Sequence, residues 1–299
     1  MPAYCHFHMS DPQVLKSLKP TREFFIGIDS DGCVFDTMNL KHRKCFCPVF
    51  IAQFHLQPVD PYAREVWDFV NLYSKTRGAN RFEALALALR LLRERKEVAA
   101  AGFTVPDSAE LEAWIARAPQ LSNSALKKEI EAGHPGLATA LAWSLGVNQA
   151  VAETVTNVPP LPFVRESLQK MVQSADVVVV SQSATETLVR EWKEHGIDPF
   201  VRVLAGQELG TKTEHLRQAA GGKYPANHIL MIGDAPGDLK AARSNQALFY
   251  PILPGREEAS WEKLFKESLD RFLAGTYAGL YEAGLIQAFE ALLPEKPNW

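Results

Sequence analysis

The chain has 299 residues, of which 46% are hydrophobic and 22% are charged, as is typical of a globular protein. Its net charge of -3 at pH 7 gives no electrostatic reason to expect a nucleic-acid or membrane partner, and no apolar run approaches the ~20 residues of a membrane span. A count of 4 cysteines is too low for a disulfide framework in a chain of this length, so we expect a cytoplasmic protein.

The first predicted elements are an N-terminal arm and a buried strand. Residues 1–22 are mostly polar and include Pro2, Pro12 and Pro20, so we interpret them as a lead-in arm. The run Phe24-Phe25-Ile26-Gly27-Ile28 predicts a strand over residues 23–29, because a short apolar run that ends in a turn is typical of a buried strand in a parallel sheet.

Two carboxylates, Asp29 and Asp31, follow this strand and precede Gly32. In open α/β sheets, ligands bind beyond the carboxyl ends of the strands. Two close carboxylates repel each other unless they share a cation, and a hard divalent ion such as Mg²⁺ prefers oxygen ligands. The alternative is that these residues only form a turn, which aspartate and glycine favour.

The chain from Thr37 to about Val158 has a helical texture, and nothing in it predicts a strand. The segment Arg81–Leu92 is dense in strong helix formers and apolar over most of its face. The predicted helices of this region are Ala63–Tyr73, Arg81–Lys96, Ser108–Ala118, Ser124–Glu131 and Gly136–Leu145.

A stiff linker around Pro159-Pro160 precedes an alternation of strands and helices. The predicted strands are Asp176–Ser181, Phe200–Ala205, His228–Gly233 and Ala247–Ile252. The predicted helices are Phe163–Gln173, Thr185–His195, Glu214–Ala220 and Asp238–Ser244, and the tail after Glu257 predicts two more amphipathic helices.

Strands that alternate with helices predict an α/β fold with a Rossmann-like, doubly wound parallel sheet in a three-layer α/β/α arrangement. The core would comprise residues 23–36 and 160–299, including the C-terminal helices. Residues 37–159 would form an all-helical domain inserted after the first strand, and so long an excursion is usually functional.

Further polar residues fall at or near the ends of the later strands. Ser181 follows the apolar run Val177–Val180, and a hydroxyl there can donate to a bound anion. Lys212 lies in a loop just before a helix. The apolar run Ile229–Ile232 ends in Gly233-Asp234-Ala235-Pro236-Gly237-Asp238, a second turn with paired acids.

These motifs, in this order, resemble the haloacid dehalogenase (HAD) superfamily of phosphohydrolases. The matching positions are Asp29-Ser30-Asp31, Ser181, Lys212 and Gly233-Asp234-Ala235-Pro236-Gly237-Asp238. The resemblance covers roughly residues 23–36 and 160–252 and does not extend to the details of the insertion. Each motif alone is weak, but their combination in order, at the ends of apolar strands, is specific.

The resemblance implies a role for each residue type. Asp29 would be the nucleophile that forms an aspartyl-phosphate, and Asp31 the general acid and then the general base. Ser181 and Lys212 would hold the phosphoryl oxygens, with Gly32 and Gln182 as further substrate-binding positions. Asp29, Asp31 through its main-chain carbonyl, Asp234 and Asp238 would form the Mg²⁺ site. Asp238 is either a direct ligand or a partner of the ligands, and Lys212 could instead be an ordinary solvated lysine.

The reaction implied is hydrolysis of a small phosphorylated metabolite. The acid at Asp31 favours phosphate-ester chemistry, because relatives that cleave carbon–halogen bonds or phosphonates typically lack it. A phosphomutase of the β-phosphoglucomutase type is the main alternative, and a non-catalytic protein that binds a phosphorylated ligand is a further one. A signalling receiver domain also combines acids, a hydroxyl and a lysine, but such domains are shorter and order their motifs differently.

An insertion directly after the first motif matches the C1-type cap of the superfamily, which in relatives closes over the core and reads the substrate. The basic break between two predicted helices, Leu72–Arg81, is the candidate specificity loop, with Lys75 and Arg77 facing an anionic group of the substrate. The alternative is an ordinary solvated helix connection. The sequence names no substrate, and it leaves a homo-oligomer open.

Overall fold

The computed structural model describes residues 13–299, so most of the predicted N-terminal arm lies outside the described residues. The described chain divides into two compact units. The core unit contains the residues up to Thr37 and Asn157–Leu292, and the helical unit contains Met38–Thr156 and Leu293–Trp299. The last residues of the chain, Leu293–Trp299, therefore belong with the helical unit rather than with the core to which the sequence analysis assigns them.

The core unit is built on a parallel sheet of 5 strands in the order β3-β2-β1-β4-β5 within the described residues. The strands are β1 (Phe24–Ile28), β2 (Ala175–Val180), β3 (Val203–Ala205), β4 (Ile229–Gly233) and β5 (Leu248–Pro251). All neighbouring pairs are parallel. The predicted α/β fold with a doubly wound parallel sheet is confirmed.

The strand register brings the ends of the central strands to one edge. Ile28 of β1 lies opposite Val179 of β2 on one side and Ile232 of β4 on the other. Every residue of these three strands is buried, as expected for near-continuous apolar runs covered on both faces. Because parallel strands end at the same edge, the residues that follow β1, β2 and β4 are brought together.

The helices of the described residues surround the sheet in the core unit and make up the helical unit. In chain order they are α1 (Gln13–Lys16), α2 (Thr37–Leu40), α3 (Cys47–Gln53), α4 (Asp60–Asn71), α5 (Arg81–Glu94), α6 (Lys96–Ala100), α7 (Ala109–Arg117), α8 (Asn123–Glu131), α9 (Ala138–Thr154), α10 (Val164–Met171), α11 (Thr185–Glu194), α12 (Lys212–Ala219), α13 (Pro236–Ser244), α14 (Glu257–Lys263), α15 (Leu269–Leu273) and α16 (Leu280–Ala291). Two π-helical stretches, Lys41–Phe46 and Leu264–Ser268, join α2 to α3 and α14 to α15.

The helical unit has an aromatic core. The ring centroid of Trp67 lies 5.8 Å from that of Trp143 and 4.8 Å from that of Phe50. Helix α9 runs to Thr154, well past the predicted end at Leu145. The helix continues through Gly146, where the absence of a side chain lets α9 pack close to α3. A Cβ on Gly146 would lie only 3.1 Å from the Val49 side chain. None of the helices in residues 13–299 has the length and apolar character that crossing a bilayer requires.

Candidate active site

A buried lysine lies between two carboxylates at the carboxyl edge of the sheet. The Nζ atom of Lys212, the first residue of α12, is 2.8 Å from Asp29 Oδ2 and 2.6 Å from Asp238 Oδ1. The side chain of Lys212 is only 14% exposed, and those of Asp29 and Asp238 are 7% and 0% exposed. The structure thus joins residues from the first, third and fourth predicted motifs, and Lys212 is not an ordinary solvated lysine.

Asp238 also organises the turn after β4. Its Oδ2 accepts hydrogen bonds from the backbone N–H groups of Asp234, at 3.2 Å, and Ala235, at 3.0 Å, and so caps the start of α13. The turn requires a glycine before it, because a Cβ on Gly233 would lie 2.3 Å from the Asp238 carboxyl carbon. Both carboxylate oxygens of Asp238 are therefore engaged by groups of the chain itself.

A group of three carboxylates could hold a metal ion. Asp29, Asp234 and Asp238 are all buried, and one oxygen of each lies within 4.8 Å of the others. Buried carboxylates this close favour a hard cation such as Mg²⁺, which takes oxygen ligands. With the three carboxylates ionised and Lys212 protonated, the group has a formal charge of −2, which one divalent cation would neutralise.

The electrostatics of the group follow from burial and from these charges. Burial raises the pKa of Asp29 well above its ordinary value; Lys212 opposes that rise, while Asp238 and Asp234 add to it. Burial lowers the pKa of Lys212, but Asp238 and Asp29 outweigh that effect, so its pKa lies above the ordinary value. Lys212 therefore stays cationic, and the acids around Asp29 carry an excess of negative charge.

The second acid of the first motif is held by two hydroxyl groups. Thr37 Oγ1 donates to one carboxylate oxygen of Asp31, and Ser183 Oγ donates to the other. Ser183 lies just after β2, and Thr37 begins α2, so the two carboxylate oxygens of Asp31 are held by different segments of the chain. The sequence analysis missed both hydroxyls, although Ser183 stands only two residues after the motif residue Ser181.

The remaining predicted site residues shape the same loops. Ser181 is 1% exposed, and its Oγ accepts a hydrogen bond from the Ser183 backbone N–H at 3.1 Å. The Gln182 side-chain amide donates to the carbonyls of Ser181, at 3.1 Å, and Gly210, at 3.0 Å, and so joins the loops after β2 and β3. Gly32 has a φ of 78°, a conformation that favours glycine, and its N–H donates to Phe35 O at 2.8 Å.

Comparison with known proteins gives likenesses in structure only. No model of a protein family matches the chain, and no curated protein matches it. A predicted phosphoglycolate phosphatase of Haemophilus somnus is similar at 16% identity and TM-score 0.45, over 78% of this chain and 86% of that one. A HAD-superfamily hydrolase of Geobacter sulfurreducens is similar at 14% identity and TM-score 0.37, over 78% and 90%. A haloacid dehalogenase-like family hydrolase of Xanthomonas campestris is similar at 11% identity and TM-score 0.41, over 92% and 95%.

Several of the similar structures are described as HAD-superfamily or haloacid dehalogenase-like hydrolases, the superfamily that the motifs of this chain resemble. At these identities and TM-scores, the neighbours do not indicate what this chain acts on, and its chemistry has to be argued from its own residues.

Two buried tryptophans hold the loop Ser30–Phe35 of the core unit in place. The Trp192 indole N–H donates to Ser30 Oγ at 3.1 Å, and that of Trp261 donates to the Cys33 carbonyl at 2.7 Å. Both tryptophans are fully buried, and Trp261 comes from α14 in the C-terminal segment. The C-terminal helices thus contact the loop that carries Asp31, a connection that no sequence pattern signals.

Cys33 lies within the same loop but has the properties of a core residue. Burial raises the pKa of the Cys33 thiol well above its ordinary value, and the negative charges of Asp234, Asp29 and Asp238 raise it further. The side chain is fully buried. A thiol that stays protonated is a poor nucleophile, so Cys33 contributes packing rather than chemistry.

Lys75 and Arg77 of the candidate specificity loop have different surroundings within the helical unit. Lys75 is exposed, and its Nζ lies 3.9 Å from Glu295 in the last residues of the chain. Arg77 is buried, and its Nη1 donates to the Leu72 carbonyl at 3.1 Å. The loop is thus not a uniformly solvated connection. A role for Lys75 and Arg77 in reading the substrate stays a prediction.

Proposed function

We propose that this protein is a Mg²⁺-dependent phosphohydrolase that acts on a small phosphorylated metabolite through an aspartyl-phosphate at Asp29. The observation that carries the proposal is the buried contact of Lys212 with Asp29 and Asp238, beside Asp234, at the carboxyl edge of the sheet. Folding alone gives no reason to bury three acids around one lysine, since buried charges are costly unless they are used or paired.

Asp29 is the nucleophile in this proposal. Its carboxylate attacks phosphorus, the ester bond to the leaving oxygen breaks, and water later releases phosphate from the aspartyl-phosphate. One oxygen of Asp29 accepts from the Ser30 backbone N–H at 2.8 Å, and the other contacts Lys212. These contacts fix the carboxylate, and Lys212 keeps part of its negative charge balanced as the dianionic phosphoryl group approaches.

Asp31 is the general acid and base. It would protonate the leaving oxygen in the first step and take a proton from the attacking water in the second, a contribution of ~10²–10⁴-fold in such reactions. The hydroxyls of Thr37 and Ser183 hold its carboxylate in place. Because one donor precedes the helical insertion and the other follows β2, the orientation of Asp31 depends on two separate parts of the chain.

The phosphoryl oxygens would be held by Lys212 and by the loop after β2. Lys212 supplies a cation, and Ser181 supplies a hydroxyl. Gly32 and Gln182 shape the backbone on either side of the bound group. Such positioned donors are the main source of catalysis in phosphoryl transfer, where charge develops on the oxygens.

The residues present fit Mg²⁺. Asp29 and Asp234 would be side-chain ligands and Asp31 a main-chain ligand, and the net charge of −2 in the acid group matches one divalent ion. Asp238 supports the site by holding Lys212 and the Asp234 backbone, since both its oxygens already accept from the chain. When bound, the ion would offset the negative charge of the phosphoryl group and of the surrounding carboxylates.

The test is phosphate release from a panel of phosphorylated metabolites, with and without Mg²⁺, by the wild type, Asp29→Asn and the exposed-surface control Asp270→Asn. We expect Mg²⁺-dependent release that Asp29→Asn abolishes and Asp270→Asn leaves intact. Calorimetric titration with Mg²⁺ supplies a readout independent of turnover, and Asp234→Asn should weaken that binding.

Unchanged hydrolysis by Asp29→Asn would contradict the nucleophile assignment. If no ester is hydrolysed by a folded, Mg²⁺-bound protein, the proposal of a phosphohydrolase fails. Isomerisation of a sugar phosphate that depends on a sugar bisphosphate would then identify a phosphomutase, and tight phospho-ligand binding without turnover would identify a binding protein. A cytoplasmic location stays a prediction.

A further inference from the structure

In the helical unit, Arg81 carries a charge that no carboxylate of residues 13–299 balances. Arg81, the first residue of α5, is half-buried and makes all its hydrogen bonds in the described residues through Nη1. The acceptors are neutral: Ser144 Oγ at 3.0 Å, the Ser144 carbonyl at 3.4 Å and Asn148 Oδ1 at 2.7 Å. Glu83, the acid of the same turn, instead accepts from the Asn80 backbone N–H at 3.3 Å.

Arg95 of the same unit shows the usual arrangement for comparison. It is 4% exposed, and its guanidinium pairs with Glu65 at 2.8 Å and with Glu97 at 3.1 Å. Arginines are seldom buried without such a partner, because desolvation of a charge is costly. Burial lowers the pKa of Arg81, and no carboxylate raises it.

The surroundings of Arg81 orient the guanidinium. Its central carbon lies 5.2 Å from the ring centroid of Phe46, a cation–π contact that favours the cation. Ser144 is fully buried, and its hydroxyl donates onward to Asn123 Oδ1 at 2.7 Å, which fixes the acceptor that faces Nη1. The guanidinium is thus held by an aromatic face and a buried hydroxyl rather than left to rotate.

The opposite edge of the guanidinium remains available. Nε and Nη2 of Arg81 make no hydrogen bond within residues 13–299, and neither is enclosed from solvent. These two nitrogens form the planar fork that binds a carboxylate or a phosphate with two parallel hydrogen bonds. An oxyanion there would also balance the charge that the unit itself leaves unpaired.

We infer that the Nε–Nη2 edge of Arg81 is a binding site for an oxyanion, a carboxylate or a phosphate group, on the helical unit. The anion is either a second charged group of the substrate or a separate small anion. The site is built from residues of the helical unit alone, and its existence does not depend on the proposed phosphohydrolase activity.

The first experiment observes the site directly. In the full-length protein, the Nε–H resonance of Arg81 is assigned by its loss in Arg81→Gln, and malonate and sulfate are titrated as carboxylate and phosphate-like probes. We expect the Arg81 resonance to shift saturably with at least one probe. Arg90, an exposed arginine on the same helix, is the matched control, and its resonance should stay in place.

Calorimetry of the same titrations measures the affinity. Arg81→Gln should weaken anion binding by about 10- to 100-fold, the loss expected for a charge-assisted hydrogen-bonded pair. Arg81→Lys, which keeps the charge but loses the fork, should also weaken it, and this variant serves if Arg81→Gln does not fold. Arg90→Gln should bind as the wild type does. An Arg81 resonance that neither probe moves, or equal affinities in all variants, would overturn the inference.

Kinetics then identify the source of the anion. If Arg81→Gln raises KM for a phosphate ester that carries a carboxylate, and leaves KM unchanged for a simple alkyl phosphate that has no second anionic group, the anion belongs to the substrate. If anion binding is lost while the kinetics of every ester stay unchanged, the ligand is a separate anion. Both results support the site, and both remain distinguishable from a failure of the phosphohydrolase proposal, in which no ester is hydrolysed.

Discussion

Replacement of Lys212 by methionine probes the electrostatics of the acid group most directly. The substitution keeps an unbranched side chain of similar length and removes only the cation. In the native structure, Lys212 Nζ lies 2.8 Å from Asp29 and 2.6 Å from Asp238. After substitution, the buried carboxylates of Asp29 and Asp238 lose their cationic partner, and their negative charges lie close to each other and to that of Asp234.

The size of the effect follows from burial. Removal of one member of a buried ion pair costs about 3–5 kcal/mol, because the remaining charge stays desolvated. Asp29 can escape this cost by binding a proton. Lys212 normally opposes the burial-driven rise in the Asp29 pKa, so the variant should have an even higher Asp29 pKa. The loss of stability should therefore be smaller below the folded-state pKa of Asp29, where this carboxyl group is protonated, and should grow as the pH rises through that pKa.

The assay is urea unfolding of wild type and variant at mildly acidic and at neutral pH, with and without Mg²⁺. Mg²⁺ should restore part of the loss, since it replaces the missing positive charge. Lys240→Met on α13 is the control, because Lys240 is exposed and a surface substitution should change the free energy of unfolding by about 0.5 kcal/mol or less.

Three results would contradict the reasoning. The first is a Lys212→Met variant as stable as Lys240→Met at neutral pH. The second is a loss that shrinks as the pH rises, since that would mean that Asp29 and Asp238 are not the groups left unbalanced. The third is an equal Mg²⁺ affinity in wild type and variant, which would mean that Mg²⁺ does not bind at this acid group.

Three further substitutions test other contacts. His215 is fully buried, and burial and then Lys212 lower its pKa to about 4. The unfolded state takes up a proton below a pKa of about 6.5, so the free energy of unfolding should decrease as the pH is lowered, by about 2 kcal/mol at about pH 5. Unfolding of His215→Leu should lack this pH dependence, and the same pH dependence in both proteins would contradict the prediction. Trp261→Phe removes the donor to the Cys33 carbonyl, so the free energy of unfolding should fall by about 1–3 kcal/mol. We also expect kcat to fall more than KM changes, and a loss of stability without a kinetic effect would show that the contact is purely structural. In Gly233→Ala, the new Cβ would lie 2.3 Å from the Asp238 carboxyl carbon and would force that group to move. We expect lower stability and weaker Mg²⁺ binding, and wild-type values for both would show that the turn does not need a glycine.

Much of the fold could be predicted from the order of the chain. The apolar run of β1 and the four consecutive valines of β2 are typical of buried strands, and the alternation after Pro160 implies parallel strands. Asp29 and Asp234 stand directly after such strands, so their nearness to each other could be expected from sheet geometry alone.

Other elements depend on packing that is not local. Helix α9 continues past Gly146 because the glycine packs against α3, although its helix propensity predicts an end there. Likewise, Leu293–Trp299 belong with the helical unit rather than with the core, and nothing in their local sequence indicates which unit they contact.

The sequence by itself determined the kind of chemistry, since acids, a hydroxyl and a lysine at the ends of buried strands define which groups are available. Only the tertiary structure decided how they are paired. Lys212 meets Asp29 and Asp238, Ser183 reaches Asp31, and Trp261 supports Cys33 across large separations in the chain. Local propensity is set by neighbours in sequence, whereas these contacts form only when the strands align at one edge, where burial makes an unpaired polar group costly.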